Sequence, residues 1–189
     1  MQLLGVVGSL REGSHNRRLL RAAADELPPG AELVPFEGLK AIEPFDETDE
    51  HESGGGMPGA DAFISAIRKA DAVLFVTPEY NGSIPGVLKN AVDWASRPTP
   101  ATSALANKPV AVIGASTGMF GAAWAQAELR KSLGLAGARV VDQELALPSA
   151  HEAFNEDGRL LRGATRGRLG DILTQLVAEV DQRPDRQHS

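Results

Sequence analysis

Three short stretches hold residue types that could do chemistry together. The first, GSLREGSHN at residues 8–16, directly follows an apolar run. Ser9, Ser14 and Asn16 offer side-chain donors, and Arg11 can form a charge-assisted bond. A helical pattern follows at once, so free N–H groups at a helix start would face the same loop. One loop of this size suits one terminal phosphate. A triphosphate loop would read GxxxxGK followed by serine or threonine, and a pyrophosphate loop GxGxxG; neither is present. An ordinary serine-rich helix cap accounts for these residues equally well when the loop is taken alone.

The second stretch is Thr77-Pro78-Glu79-Tyr80-Asn81-Gly82-Ser83. Pro78, Asn81 and Gly82 dictate a tight turn that exposes backbone N–H groups, and Tyr80 brings a flat apolar face with a polar tip. These features suit the polar edge of a planar heteroaromatic ring. In isolation, a strand-to-helix turn with a partly buried tyrosine is the simpler reading. The third stretch, Ala115-Ser116-Thr117-Gly118, puts small residues where a ring could lie against backbone, a weak signal by itself.

The elements around these stretches decide whether they can meet. Apolar runs at Leu3–Val7, Ala72–Val76 and Pro109–Ala115 predict strands buried on both faces, with further strands at Glu32–Phe36 and Arg139–Leu147. Helical spacing predicts helices over Asn16–Leu27, Ala60–Ala70, Gly86–Ser96, Gly121–Leu133 and Thr165–Val180, with Pro85 in the first turn of the third. Residues 37–59 read as an irregular acidic connection, a floppy surface loop in preference to a functional one. Alternating strands and helices imply an α/β three-layer sandwich around a parallel sheet, folded as one domain over residues 1–182, with a disordered tail at 183–189. In the strand order 2-1-3-4-5, the three loops follow neighbouring strands and converge on one crevice at their carboxyl ends. A single phosphate beside a planar ring points to flavin mononucleotide (FMN).

Composition narrows the alternatives. A net charge of -6 argues against a nucleic-acid partner. The absence of cysteine removes disulfides, cysteine-ligated metals and a cysteine nucleophile, and suits a cytoplasmic location. The amino-terminal run MQLLGVVGSL lacks a positive region and ends at Gly8, so it reads as a first strand rather than a leader. No apolar stretch approaches the ~20 residues of a membrane span. His51 and His151 belong to no close ligand pair and read as solvated residues, giving no metal site. Arg159, Arg162, Arg166 and Arg168 read as a solvated helix entry in preference to a nucleotide-phosphate site.

The stretches GSLREGSHNRRL, ADAVLFVTPEYNGSIPGVLKNAVDW, GASTG and PSAHEAFNEDGRL resemble the NAD(P)H-dependent FMN reductase family, the flavodoxin-like group that includes chromate and quinone reductases. The resemblance covers nearly the whole chain. It implies a flavodoxin-like fold, bound FMN, and NADPH or NADH as electron donor. It implies hydride transfer to the flavin and then, by a ping-pong cycle, to a small-molecule acceptor: a quinone, flavin, azo compound or metal oxyanion. Carried over residue by residue, it implies that Ser9, Arg11, Ser14 and Asn16, with the backbone at His15, hold the phosphate. Pro78, Glu79, Tyr80, Asn81 and Gly82 would lie along the ring, and Ser116, Thr117 and Gly118 would form a third wall. The chemistry falls to the flavin, so no catalytic side chain is expected. A homodimer, or a homotetramer, is implied with the helix after Pro85 at an interface, which would give Trp94 a role beyond the core. Many relatives read G-G-x-R-A-Q-x-x-L-R where this chain reads GAAWAQAELR at 121–130, so Ala122 and Trp124 replace a glycine and an arginine. The rival functions are a flavodoxin-type electron carrier without direct NAD(P)H oxidation, and a flavin-free scaffold.

Overall fold

The computed structural model describes residues 1–52 and 57–182. Five strands, β1 (Gln2–Val7), β2 (Glu32–Pro35), β3 (Ala72–Thr77), β4 (Pro109–Ala115) and β5 (Arg139–Leu147), form one sheet in the order β2-β1-β3-β4-β5. Every pairing is parallel. The helices are α1 (His15–Asp25), α2 (Glu47–Glu52), α3 (Pro58–Lys69), α4 (Gly86–Ala95), α5 (Ala123–Leu135) and α6 (Gly163–Asp181). This is the order expected above, and that of the flavodoxin-like fold the family resemblance implies.

The continuous apolar runs are explained by burial on two sides. Along β3, Ala72, Leu74 and Val76 pack with Leu19 of α1 and Leu173 of α6. The alternate residues Val73 and Phe75 pack with Phe63 of α3, Leu88 of α4 and Leu129 of α5. A period of two thus feeds two cores, one on each face of the sheet.

At the β4–β5 edge the register shifts between Val110 and Val112, which pair with Val140 and Glu144. The carbonyls freed by this bulge are met from α5. Arg130 donates through one guanidinium nitrogen to the carbonyls of Val141 (2.7 Å) and Gln143 (2.8 Å), and through the other to the Asp142 carboxylate. Arg130 thereby supplies side-chain partners to two backbone carbonyls at the bulge.

Three expectations need correction. Pro85 stands at the N-cap of α4 (φ −54°, ψ 133°) rather than in its first turn, and its carbonyl accepts from Leu88 and Lys89. Helix α5 begins at Ala123 rather than Gly121, because Gly121 (φ 58°) and Ala122 (φ 67°) both take left-handed backbone. The described part of the connection at 37–59 holds regular structure that was not expected: a 3-10 turn at Leu39–Ala41, helix α2, and the start of α3 at Pro58.

Glu43 explains why the first part of that connection is fixed. Its carboxylate accepts from the N–H groups of Gly59 and Ala60, capping α3 from a distance. Its carbonyl accepts from Asn90 Nδ2 and Trp94 Nε1, both at 2.8 Å. Its own backbone N–H and that of Gly59 hold the Glu43 carboxyl below the usual range. Trp94 is buried within the chain, 4% exposed, with its indole N–H bound to the Glu43 carbonyl. The glycines 54–56, the His51 side chain and the tail 183–189 lie outside the described residues.

Candidate functional site

The ends of β1, β3 and β4 are neighbours in the sheet, so the loops following them share one edge. Gly8 lets the first two loops approach. A Cβ there would stand 2.9 Å from Leu88 Cδ2 and 3.1 Å from Pro78 Cδ. Ser9, next along, is buried, and its Oγ lies 3.5 Å from the Tyr80 hydroxyl.

The first loop turns at 11–14, where Ser14 N–H donates to the Arg11 carbonyl. Ser14 then caps α1, its Oγ accepting from Asn16 N–H at 3.2 Å. That leaves first-turn N–H groups such as those of His15 and Arg17 without intrahelical acceptors. Asn16 also makes a structural contact. Its side chain is buried and bonded to Ala115, donating from Nδ2 to the carbonyl and accepting at Oδ1 from the N–H, each at 2.9 Å. Its side chain ties the start of α1 to the end of β4.

In the second loop, Tyr80 and Ser83 exchange backbone hydrogen bonds of 3.1 Å in both directions. Asn81 (φ 53°) and Gly82 (φ 74°) between them are both left-handed. This is the geometry of a type I′ turn, for which Asn-Gly is the preferred pair. The turn uses neither the Asn81 nor the Gly82 N–H, and both residues are exposed. Glu79 points elsewhere: its carboxylate accepts from Ala125 N–H at 3.1 Å and caps α5, whose own N-cap, Ala122, has no side chain able to do so. Ser83 Oγ donates to Glu128 at 2.6 Å, a second tie between this loop and α5.

The third loop is held from β5. Ser116 N–H donates to the Leu147 carbonyl, and Ser116 in turn accepts from Ala150 N–H at 3.0 Å. Ser149 N–H reaches the Gly118 carbonyl at 3.3 Å. Thr117 and Gly118 are exposed at the edge. The segment 148–155, part of the PSAHEAFNEDGRL stretch to which no physical role was given, is thus a fourth wall. Arg18 joins it to α1, donating to the Asn155 carbonyl and lying 4.7 Å over the Phe154 ring. His151, expected as a merely solvated residue, is exposed and 3.3 Å from Glu152, yet close enough to His15 to act on it electrostatically. The arginines of the α6 entry behave as a structural face in part: Arg166 pairs with Glu26, and Arg168 reaches the Glu144 carbonyl.

Two observations test whether these residues suit a phosphate with a ring beside it. His15 Nδ1 is buried without a hydrogen-bond partner. The His15 imidazole is held below its ordinary pKa, first by partial burial and then by the positive charge of Arg11, Arg18 and His151. Crowded positive charge at a helix N-terminus is what a dianion neutralises. The outward N–H groups of Asn81 and Gly82 supply donors for a ring's polar edge. The residues fit.

Comparison with known proteins identifies the family. Residues 1–152 match the family model described as NADPH-dependent FMN reductase. The chain is 43% identical over 169 residues to an NAD(P)H-dependent FMN reductase of Pseudomonas aeruginosa, covering 88% of each. It is 37% identical over 143 residues to a quinone reductase of Escherichia coli, covering 76% of this chain and 74% of that one. Among solved structures, the flavoenzyme NAD(P)H:(acceptor) oxidoreductase FerB of Paracoccus denitrificans superposes with a TM-score of 0.84 at 30% identity, covering 96% of this chain and 97% of its own. With a family model spanning most of its length and such relatives along nearly all of it, the chain belongs to the NADPH-dependent FMN reductase family.

Proposed function

We propose that the chain is an FMN-dependent oxidoreductase that takes electrons from NADPH or NADH and passes them to a small-molecule acceptor, with a quinone as the leading class. Family membership supports the cofactor and the donor, and relatives named quinone reductase support the acceptor. The observation that carries the reading is the meeting of a cationic helix start with an Asn-Gly turn at one sheet edge. The reading treats residues 1–182 as one FMN-binding domain, supported by two cores built on the faces of a single sheet.

Bound FMN supplies the two-electron carrier between donor and acceptor. Ser9, Arg11, Ser14 and the first-turn N–H groups of α1, His15 among them, hold the phosphate. Asn16 fixes the spacing between that cradle and the wall of Ser116, Thr117 and Gly118 through Ala115. Pro78 shapes the approach to the turn, Tyr80 would border the ring, and Glu79 fixes the start of α5 against this loop. The N–H groups of Asn81 and Gly82 favour negative charge on the ring's polar edge, as donors in an oxyanion site do. With a quinone the net change is balanced: NAD(P)H, one proton and the quinone give NAD(P)⁺ and the hydroquinone. No step needs a protein nucleophile or a strong base.

The proposed assembly is a homodimer, with a homotetramer as the larger form, and its test is the mass in solution. Among the described residues no helix is long and apolar enough to cross a membrane; the cytoplasm is the proposed location. Steady-state kinetics test the catalytic reading. NAD(P)H oxidation at varied quinone should give the parallel double-reciprocal lines of a ping-pong cycle. Tight FMN binding without turnover from either nucleotide would favour the flavodoxin-type carrier. A failure of FMN to raise the melting temperature would favour a scaffold.

A further inference from the structure

Four large apolar side chains, Tyr80, Met119, Phe120 and Trp124, stand exposed on the segments that follow β3 and β4. The Phe120 and Trp124 rings lie on each other, centroids 4.7 Å apart and planes tilted by 51°, yet each residue remains more than half exposed. Exposing two large rings at one point wastes burial that the core could have used, so a ligand or partner is indicated.

The pair is held at the rim of the candidate site. Trp124 belongs to the first turn of α5, and the next residue, Ala125, donates its N–H to Glu79. Glu128, one turn on, accepts from Ser83. Two hydrogen bonds therefore lock this turn of helix to the loop carrying Tyr80. Phe120 is fixed by the left-handed Gly121 and Ala122 that follow it, and its carbonyl accepts from Ala123 N–H.

The charge of the stretch points to the kind of ligand. From Ser116 to Leu129 the sole charged residue is Glu128, and it is bound to Ser83. There is no cation on this wall to draw an oxyanion. Two preorganised rings without a cation attract flat, uncharged molecules by stacking.

We propose that Phe120 and Trp124 form an aromatic shelf that holds planar, uncharged acceptors of the quinone class beside the ring site and sets this chain's preference for them over anionic acceptors. The proposal rests on the reductase reading and adds the residues that choose the acceptor. A second copy of the chain covering the shelf is the competing outcome.

The test uses the oxidised, FMN-loaded protein with 2-methyl-1,4-naphthoquinone and ferricyanide as probes. Trp124 is the exposed one of two tryptophans, Trp94 being buried. Saturable quenching of its emission by the naphthoquinone is expected in the wild type without any substitution; a purely linear response would overturn the shelf. In Trp124→Ala and Phe120→Ala, the ratio of kcat/KM for naphthoquinone to that for ferricyanide should fall about tenfold, the loss residing in KM. An equal loss with both acceptors, or a change in molecular mass on truncating either ring, would overturn it and identify a contact between copies. Absence of turnover with every acceptor would count against the reductase reading, while saturable quenching would still support the shelf.

Discussion

Asn16 and Ala115 exchange two hydrogen bonds of 2.9 Å across 99 residues of sequence, and through them the start of α1 and the end of β4 act as one piece. Ala115 lies at the carboxyl end of β4, where the third loop begins, so the spacing between the first and third loops is set by this contact.

Replacing Asn16 by alanine removes both bonds and strands a buried N–H and a buried carbonyl. Asn16→Ala should lower stability by about 2–4 kcal/mol, read by urea denaturation. It should also weaken FMN binding, although the Asn16 side chain makes no direct phosphate contact in this scheme. A loss below ~0.5 kcal/mol would show that water replaces the amide.

The left-handed turn at Asn81 and Gly82 makes a second prediction. Gly82→Val forces a β-branched residue to φ 74° and should cost about 1–3 kcal/mol, together with a loss of FMN affinity. Asn81→Gly preserves the backbone and should leave affinity nearly unchanged. Calorimetric FMN titration of both variants separates turn geometry from the asparagine side chain.

Glu79 should act through α5. Glu79→Ala deprives α5 of its remote cap and should destabilise the protein by about 1 kcal/mol, whereas Glu79→Gln keeps an acceptor oxygen and should recover most of that loss. Thermal denaturation of the two variants provides the check.

Arg130 should be more costly to remove than a surface ion pair. Arg130→Ala unpairs the bulge carbonyls of Val141 and Gln143 and should cost about 2–3 kcal/mol. Asp142→Ala removes only the exposed carboxylate and should change stability by less than ~0.5 kcal/mol. Chemical denaturation distinguishes the two roles of the one guanidinium.

His15 ties the site to pH. Its folded pKa lies below 6.5, so the folded state holds its proton less readily than the unfolded one. The resulting destabilisation is absent well above 6.5 and grows as pH falls through 6.5 towards the folded value. A bound phosphate reverses the local field and should raise the His15 pKa. Titration of its imidazole proton by NMR, with and without FMN, should show that upward shift. An unchanged pKa on saturation would place the phosphate away from His15.

The parallel sheet was legible because β1, β3 and β4 are apolar on both faces, a pattern that only a covered parallel sheet sustains; it marks them as interior strands without fixing their order. The three loops were legible because turn residues are strongly typed: Asn81-Gly82 calls for a left-handed turn wherever it is found. What long-range partners do was not legible. Nothing local marks Asn16 as engaged by Ala115 rather than a ligand, or Glu79 as a cap for a helix 46 residues later. The acids of 37–59 read as solvated because the Gly59 and Ala60 N–H groups that hold Glu43 are themselves backbone and leave no trace in residue type. The fourth wall was missed for a similar reason. Ser149 and Ala150 join the third loop through main-chain bonds, and PSAHEAF carried a family likeness without a physical role.

The most direct test mixes the FMN-loaded protein anaerobically with NADPH, and separately with NADH, while the visible flavin absorbance and the radical signal are followed. Rapid bleaching by at least one donor, without a radical signal, is the result expected of a site that passes electrons in pairs. A flavin that stays yellow with both donors, although tightly bound, would contradict the reductase function and leave the one-electron carrier in its place.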